Sequence, residues 1–527
     1  MADDKPQRVA FVGGRVWTAG YRGSRPLDVL VEADRIVEVA PAGALNTDEA
    51  EVHDLDGRLL TPGFQDAHIH LGTGGSDLLT CNLAGLETPE QIYAAISEYA
   101  KKNPSLPWIT GGGWFREVFP YPEGPTRQKL DELVGNRRAY FAPYDRHGAW
   151  VSTAALDAAR VDDNTPDPPG GFFRRDEHGS LTGMVEEDAI GLIRAVMPEQ
   201  STNDRMAAIL KGQEYVLALG ITSVQDALVG TGLGLPDHLE AYGELLKTGD
   251  LRLRLTTALW WDQKRGLEQI PEMQARRDQL ENIAGPDRVI ADTVKVMVDG
   301  ADVLFMDADK IRDATVALDR LGFTVHYHSY GDAATRWILD AIETAIRENG
   351  PRVRRHHIAH LFVVAEEEFS RFAQLGVTAN VQGFWAGSSV PHDHIHQSTS
   401  TDHGESLEYP FGRLNAAGAQ LAGGSDWPVT TPDPLVCART VNGDYIDPDL
   451  RKDLSELDRL DPVTMMTAYT AGSAFVNGRG ATTGRIAQSF LADLVVLDRD
   501  IFESDDTLRK ASVSEVWIGG QRLFSQA

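Results

Sequence analysis

From Val216 to Pro428 the chain repeats one local event. A helical segment ends, a glycine follows, and a short apolar strand begins. "VLALGITSVQDA" does this at Gly220, "DATVALDRLGFTVHYHSYGD" at Gly322, "EEEFSRFAQLGVTANVQG" at Gly376 and "LNAAGAQLAGGSDWP" at Gly418. "RLRLTTALWW", "DTVKVMVDGA" and "RHHIAHL" read as further strands. "AATRWILDAIETAIRENG" has the spacing of an amphipathic helix closed by Gly350. Strands that alternate with helices across short loops pair in parallel, because each helix returns the chain to the same end of the sheet. About seven or eight such units point to an α/β fold built on a distorted (β/α)8 TIM barrel.

Both ends of the chain have a different character. "RVAFVGGRVWTA", "LDVLVEADRIVEVA" and "EVHDLDGRLLTPGF" read as a meander of hairpins, and "GRIAQSFLADLVVLDRD" with "VSEVWIGGQRLF" repeats the pattern. Either half alone would leave an unpaired sheet edge. A small β-sandwich assembled from residues 1–60 and 478–527 is therefore expected, with the barrel domain in residues 61–477. Residues 72 to about 190 break the barrel rhythm with runs such as "VDDNTPDPPGGFFRRDEHGS". They are expected to form a large insertion after the first barrel strand.

Composition narrows the function. Net charge is −28, with 78 acidic against 50 basic residues, a field that repels phosphate backbones and argues against nucleic-acid binding. Two cysteines, Cys81 and Cys437, exclude a disulfide framework and make a reducing compartment the default. No window approaches the ~18 apolar residues of a membrane span, and "MADDKPQRVA" lacks the apolar region of a secretion signal. A cytoplasmic location without a membrane partner is expected. No Gly-x-Ser-x-Gly elbow is present, and "GGG" at 111–113 lacks the Lys-Ser/Thr of a phosphate cradle.

A metal centre is the chemistry that the remaining residues suggest. "GFQDAHIHLG" places His68 and His70 two apart, on one face of a strand, with Asp66 on the same face. Lys295 lies among valines in "TVKVMV", where a charged amine is costly to bury. It either snorkels to the rim or is neutral and has taken up carbon dioxide as a carbamate, an anionic oxygen donor. His328 follows "FTVHY", His360 ends "HHIAH" and Asp426 ends "LAGGSD". Each falls at the C-terminal end of an expected barrel strand, where such barrels carry their active sites. Mixed imidazole and carboxylate donors suit Zn2+, as one or two ions, with Mn2+, Fe2+ or Co2+ as substitutes.

Other residues have two readings. Asp66 and Asp332 either orient the histidines or serve as turn and cap residues. His326 shares the strand face of His328 and reads as a core residue beneath the site or as an alternative ligand. His356 and His357 read as strand packing, and His392, His394 and His396 of "PHDHIHQ" as ordinary loop histidines or a substrate lid. Trp114, Phe115, Phe384 and Trp385 fall in loops expected near the barrel mouth. They form either an apolar substrate pocket or simple core packing.

Taken together, "TPGFQDAHIHL", "DRHGAWVSTAAL", "DPPGG", "GITSVQDA", "VKVMVDGA", "HSYGD", "HHIAH", "GGSDWPV" and "LADLVVLDRD" carry a resemblance over nearly the whole chain. The sequence resembles the amidohydrolase superfamily, in its family 3 branch of N-substituted formamide deformylase-like metal-dependent hydrolases. That resemblance implies that His68 and His70 hold one metal, His328 and His360 a second, and carbamylated Lys295 bridges them. Asp426 would bind the first metal and move protons, and His147 would either close over the substrate and donate to the developing oxyanion or serve structural packing. The implied reaction is hydrolysis of a non-peptide C–N bond by metal-activated water. The substrate best suited is a linear N-substituted amide, formamide- or anilide-like, with a hydrophobic group. A cyclic-amide hydrolase, an aromatic deaminase and a non-catalytic ligand-binding or regulatory protein are the alternatives, and a homo-oligomer is compatible with all of them. The chain departs from the branch at "DGADVLFMDADK", where a Gly-Ser-Arg segment is common. It also departs at Ala359, where an acidic residue is common, and at Arg146, where glycine is usual.

Overall fold

The computed structural model describes residues 7–120, 124–144, 146, 148–233, 235–300, 304–387, 406–444 and 454–526. His147 and the His392, His394 and His396 loop lie outside the described residues. The chain divides into two compact units: Met1–His70 with Gln213–Gly232 and Tyr242–Ala527, and Leu71–Gly212 with Leu233–Ala241.

The first unit is built on eight strands: β1 (Phe64–Ile69), β2 (Ile221–Val229), β3 (Arg254–Trp260), β4 (Val289–Met297), β5 (Thr324–Ser329), β6 (His357–His360), β7 (Thr378–Val381) and β8 (Gln420–Gly423). They pair in parallel and in sequence order. Just beyond β8 the backbone closes on β1: the N–H groups of Ser425 and Asp426 donate to the His68 carbonyl at 3.1 and 2.7 Å. The fold is a (β/α)8 barrel. Every residue of β2 is buried, because helices cover one face and the barrel interior fills the other. Such strands read as continuous apolar runs and not as alternation.

The repeated glycine has a local cause at Gly220. Its φ is +84°, in the left-handed region, and an added Cβ would stand 2.8 Å from the Phe64 ring. The helices start where side chains cap them: Asp307 accepts from the Lys310 N–H before Ala308–Arg320. Among the described residues, no helix is long and apolar enough to cross a membrane.

Two larger sheets near the chain ends also belong to this unit, beside a two-stranded pairing of Val363–Ala365 with Ser406–Glu408. One orders Arg35–Pro41, Leu27–Glu32, Arg8–Val12 and Glu51–Asp54. The other joins both ends of the chain: Leu59–Pro62 pairs antiparallel with Leu494–Leu497, which continues to Val513–Ile518 and Gln521–Ser525. Val9, Phe11, Val31, Leu60, Val496 and Trp517 pack in one core between them; burying each aliphatic or aromatic side chain contributes about 1.5–3 kcal/mol. A buried ion pair ties this module to the barrel. Arg254 of β3 donates to Asp493 through both Nε and Nη2, the latter at 2.7 Å.

Most of the second unit, Leu71–Gly212, falls in the chain between β1 and β2, and Leu233–Ala241 falls between β2 and β3. The unit holds a six-stranded sheet ordered Gly171–Arg175, Leu181–Glu187, Gly148–Val151, Arg138–Pro143, Trp108–Trp114 and Cys81–Asn82. Trp114 is buried in its core beside Phe119 and Trp150, so its ring packs this unit and offers no surface to a ligand. Phe115 stacks at a tilt on Tyr144, with centroids 4.7 Å apart.

Candidate metal centre

Six side chains that the sequence singled out converge at the C-terminal ends of the barrel strands. His68 Nε2 lies 3.2 Å from Asp426 Oδ1, and His70 Nε2 lies 3.1 Å from the same oxygen. Lys295 Nζ is 3.5 Å from His68 Nε2. The His360 ring centroid is 4.8 Å from that of His68 and 4.4 Å from that of His328. Among the described residues, His68, His360 and Asp426 form a group whose ligand atoms all lie within 4.8 Å of one another.

The backbone bends to achieve this. His360 has φ +77°, Leu361 +50° and Asp426 +59°. A non-glycine residue held there costs on the order of 1–3 kcal/mol, and the surroundings must hold it in place. The His360 N–H donates to Gln382 Oε1 at 2.7 Å; Gln382 Nε2 donates to Asn380 Oδ1 at 2.9 Å; Asn380 Nδ2 donates to the Ala67 carbonyl at 3.0 Å. This chain pins β6 to β7 and β1. Gly424 is needed for a second reason: an added Cβ would stand 2.5 Å from Asn380 Oδ1 and 2.8 Å from His68 Cβ.

Burial sets the charge states. It pushes the His68 pKa down to about 3 and lowers those of His328 and His360, so these rings are neutral and carry lone pairs at neutral pH. Burial also brings Lys295 down to about 7, which makes a neutral amine accessible. Burial opposes ionisation of Asp426 too, but a hydrogen bond from His70 Nε2 at 3.1 Å favours the anion, and the carboxyl is held well below the ordinary range. Neutral imidazoles around one carboxylate are the donor set of a divalent cation site. Among the described residues, the buried Nδ1 atoms of His70 and His360 meet no hydrogen-bond partner. The residues present therefore fit a metal ion.

The supporting contacts differ in part from the expected ones. Asp66 accepts the backbone N–H groups of His68 at 2.9 Å and Ser425 at 3.1 Å; it fixes the strand and does not touch a ring nitrogen. Asp332 opens the helix Asp332–Asn349. The carboxylate that orients a ligand candidate is Asp299, which accepts from His328 Nδ1 at 3.1 Å and from the Tyr330 and Gly331 N–H groups at 3.0 and 2.8 Å. Sequence reasoning missed it; its signal was an Asp-Gly pair directly after the lysine strand. His326 and His357 lie below the cluster, with His326 Nε2 2.9 Å from His68 Nδ1. His356 Nε2 meets Asp319 at 3.1 Å. Trp385, in the short helix Gly383–Ala386 with Phe384, stacks on His360 at 5.2 Å and 26°. Tyr330, unremarked in the sequence, stands 5.2 Å from the same ring. The two aromatics wall one side of the cluster.

Barrel and donor cluster together define a metal-dependent hydrolase, and residues 51–524 match the Amidohydrolase family. The chain belongs to that family and is a hydrolase acting on carbon–nitrogen bonds other than peptide bonds. It is 27% identical to the amidohydrolase YtcJ of Bacillus subtilis (strain 168), across 98% of this chain and 99% of that one. It is 27% identical to the N-substituted formamide deformylase of Arthrobacter pascens, across 97% of each. A solved structure of an uncharacterized metal-dependent hydrolase from Pyrococcus horikoshii OT3 shares the fold, with a TM-score of 0.71 and 22% identity over 95% of this chain and 99% of that one.

Proposed function

We propose that this chain hydrolyses a linear N-substituted amide, formamide- or anilide-like, whose apolar group rests against Tyr330 and Trp385. The observation that carries this reading is one carboxylate oxygen, Asp426 Oδ1, held between two imidazoles beside an aromatic wall. The formamide deformylase among its relatives supports the substrate class. His68, His70, His328, His360 and Asp426 would hold one or two ions, zinc being the best match to these donors, and Lys295 would add a bridging oxygen as its carbamate. A cation there polarises the amide carbonyl and lowers the pKa of bound water to roughly 7.

The protein's own part is proton movement and placement. Asp426, anionic and fixed by two histidines, accepts the proton that the attacking water loses and delivers it to the departing nitrogen. The C–N bond breaks, a C–O bond has formed, and the products are a carboxylic acid and an amine. The Lys295 amine reacts with carbon dioxide to form an N–C bond and releases one proton, leaving a carbamate anion. Tyr330 and Trp385 exclude water from one side and select an apolar substituent.

Two measurements test this. A panel of formamides, anilides, lactams and amino-substituted aromatics is assayed for amine and ammonia separately. Amine release from linear amides is the expected outcome; ammonia release from ring substrates alone would replace the reading with a deaminase. Native mass spectrometry in bicarbonate buffer is expected to show one added carbon dioxide in the wild type and none in Lys295→Met. The same added mass in both, or none in either, would remove the carbamate.

A further inference from the structure

The barrel floor beneath the metal cluster is a chain of buried polar side chains, and its polarity can be read from one end. The Thr483 hydroxyl donates to the Arg479 carbonyl at 3.3 Å, so its oxygen accepts from Gln65 Nε2 at 2.8 Å. Gln65 Oε1 then accepts from Asn477 Nδ2 at 3.5 Å, and Asn477 Oδ1 accepts from Gln225 Nε2 at 3.2 Å. The Gln225 carbonyl is left facing His326 Nδ1 at 2.6 Å. A carbonyl only accepts, so His326 carries its proton on Nδ1 and presents a lone pair at Nε2. That lone pair lies 2.9 Å from His68 Nδ1. His68 therefore carries its proton on Nδ1, and its Nε2 turns a lone pair toward Asp426 and Lys295.

From this we infer that His326 is a positioning residue: through the Gln225 carbonyl it locks His68 in the tautomer that binds a cation. The inference rests on the metal reading above. His326, Gln225 and Asn477 are fully buried, so bulk solvent does not reach these bonds. His357 touches the same Gln225 oxygen at 3.0 Å and the Arg355 carbonyl at 2.9 Å. It thus faces an acceptor at each nitrogen, which a second proton would satisfy and which burial opposes. Among the described residues, the hydrogen-bonded path from Gln225 to His68 runs through His326. His326 shares a strand face with His328 but acts as neither a ligand nor inert packing.

The test is the affinity of the metal-stripped protein for Co2+ and Zn2+, measured by chelator competition, with the visible spectrum of the Co2+ form. His326→Leu is expected to weaken binding about 10–100-fold and to change the spectrum. His326→Gln, whose carbonyl accepts from His68 Nδ1, is expected to restore most of both. Gln225→Met provides a second break in the chain should His326→Leu fail to fold, and it is expected to weaken binding in the same direction. Melting of each stripped protein reports folding independently. Affinities of His326→Leu and Gln225→Met equal to wild type, or His326→Gln as weak as His326→Leu, would overturn the tautomer lock while leaving the metal centre intact. A wild type that binds neither ion would overturn both.

Discussion

Asp426→Asn is expected to retain its metal and lower kcat by about 10²–10⁴-fold. The amide keeps an oxygen where the carboxylate oxygen stands between His68 and His70, so a donor to the cation survives. What disappears is a group able to take a proton and give it back. Metal content measured beside steady-state kinetics separates the two roles. Full activity would remove Asp426 from proton transfer, and loss of metal in proportion to activity would reduce it to a ligand. The left-handed backbone at Asp426 tolerates asparagine, one of the few residues that adopts it readily, so the comparison is not confounded by refolding of the loop.

Asp493→Ala is expected to cost about 3–5 kcal/mol of stability, with little direct effect on the chemistry. Asp493 takes two hydrogen bonds from Arg254 and one from the Gly519 N–H at 2.9 Å, and both charged residues are buried. Removing the carboxylate leaves a guanidinium that can neither reach water nor lose its proton. Denaturant unfolding of Asp493→Ala against the double variant Arg254→Met/Asp493→Leu checks the cause. The double variant should recover most of the loss, because apolar packing replaces a buried pair at little net cost. Equal destabilisation of both would point to packing and not to charge.

Much of the barrel was legible because its signals are local. The helix–glycine–strand repeats at Gly220, Gly322 and Gly376 sit where the structure has helix ends followed by β2, β5 and β7. The six residues of the cluster stood out because each is a polar residue at the end of an apolar strand. What stayed hidden depends on contacts between distant strands. No spacing rule reports that Thr483, Gln65, Asn477 and Gln225 line up beneath His326, nor that Asp299 turns back onto His328. Trp114 read equally as a rim aromatic and as core packing, and the six-stranded sheet draws its ring into a core. An apolar side chain in a loop-like sequence carries no mark of which unit will bury it.

The most direct test is an anomalous difference map from crystals grown with zinc and bicarbonate, recorded on both sides of the zinc absorption edge. The expected result is one or two peaks within coordination distance of His68, His360 and Asp426, with density extending from the Lys295 amine. A fully occupied zinc peak bound only elsewhere, or no peak in a map that resolves these side chains, would contradict the assignment.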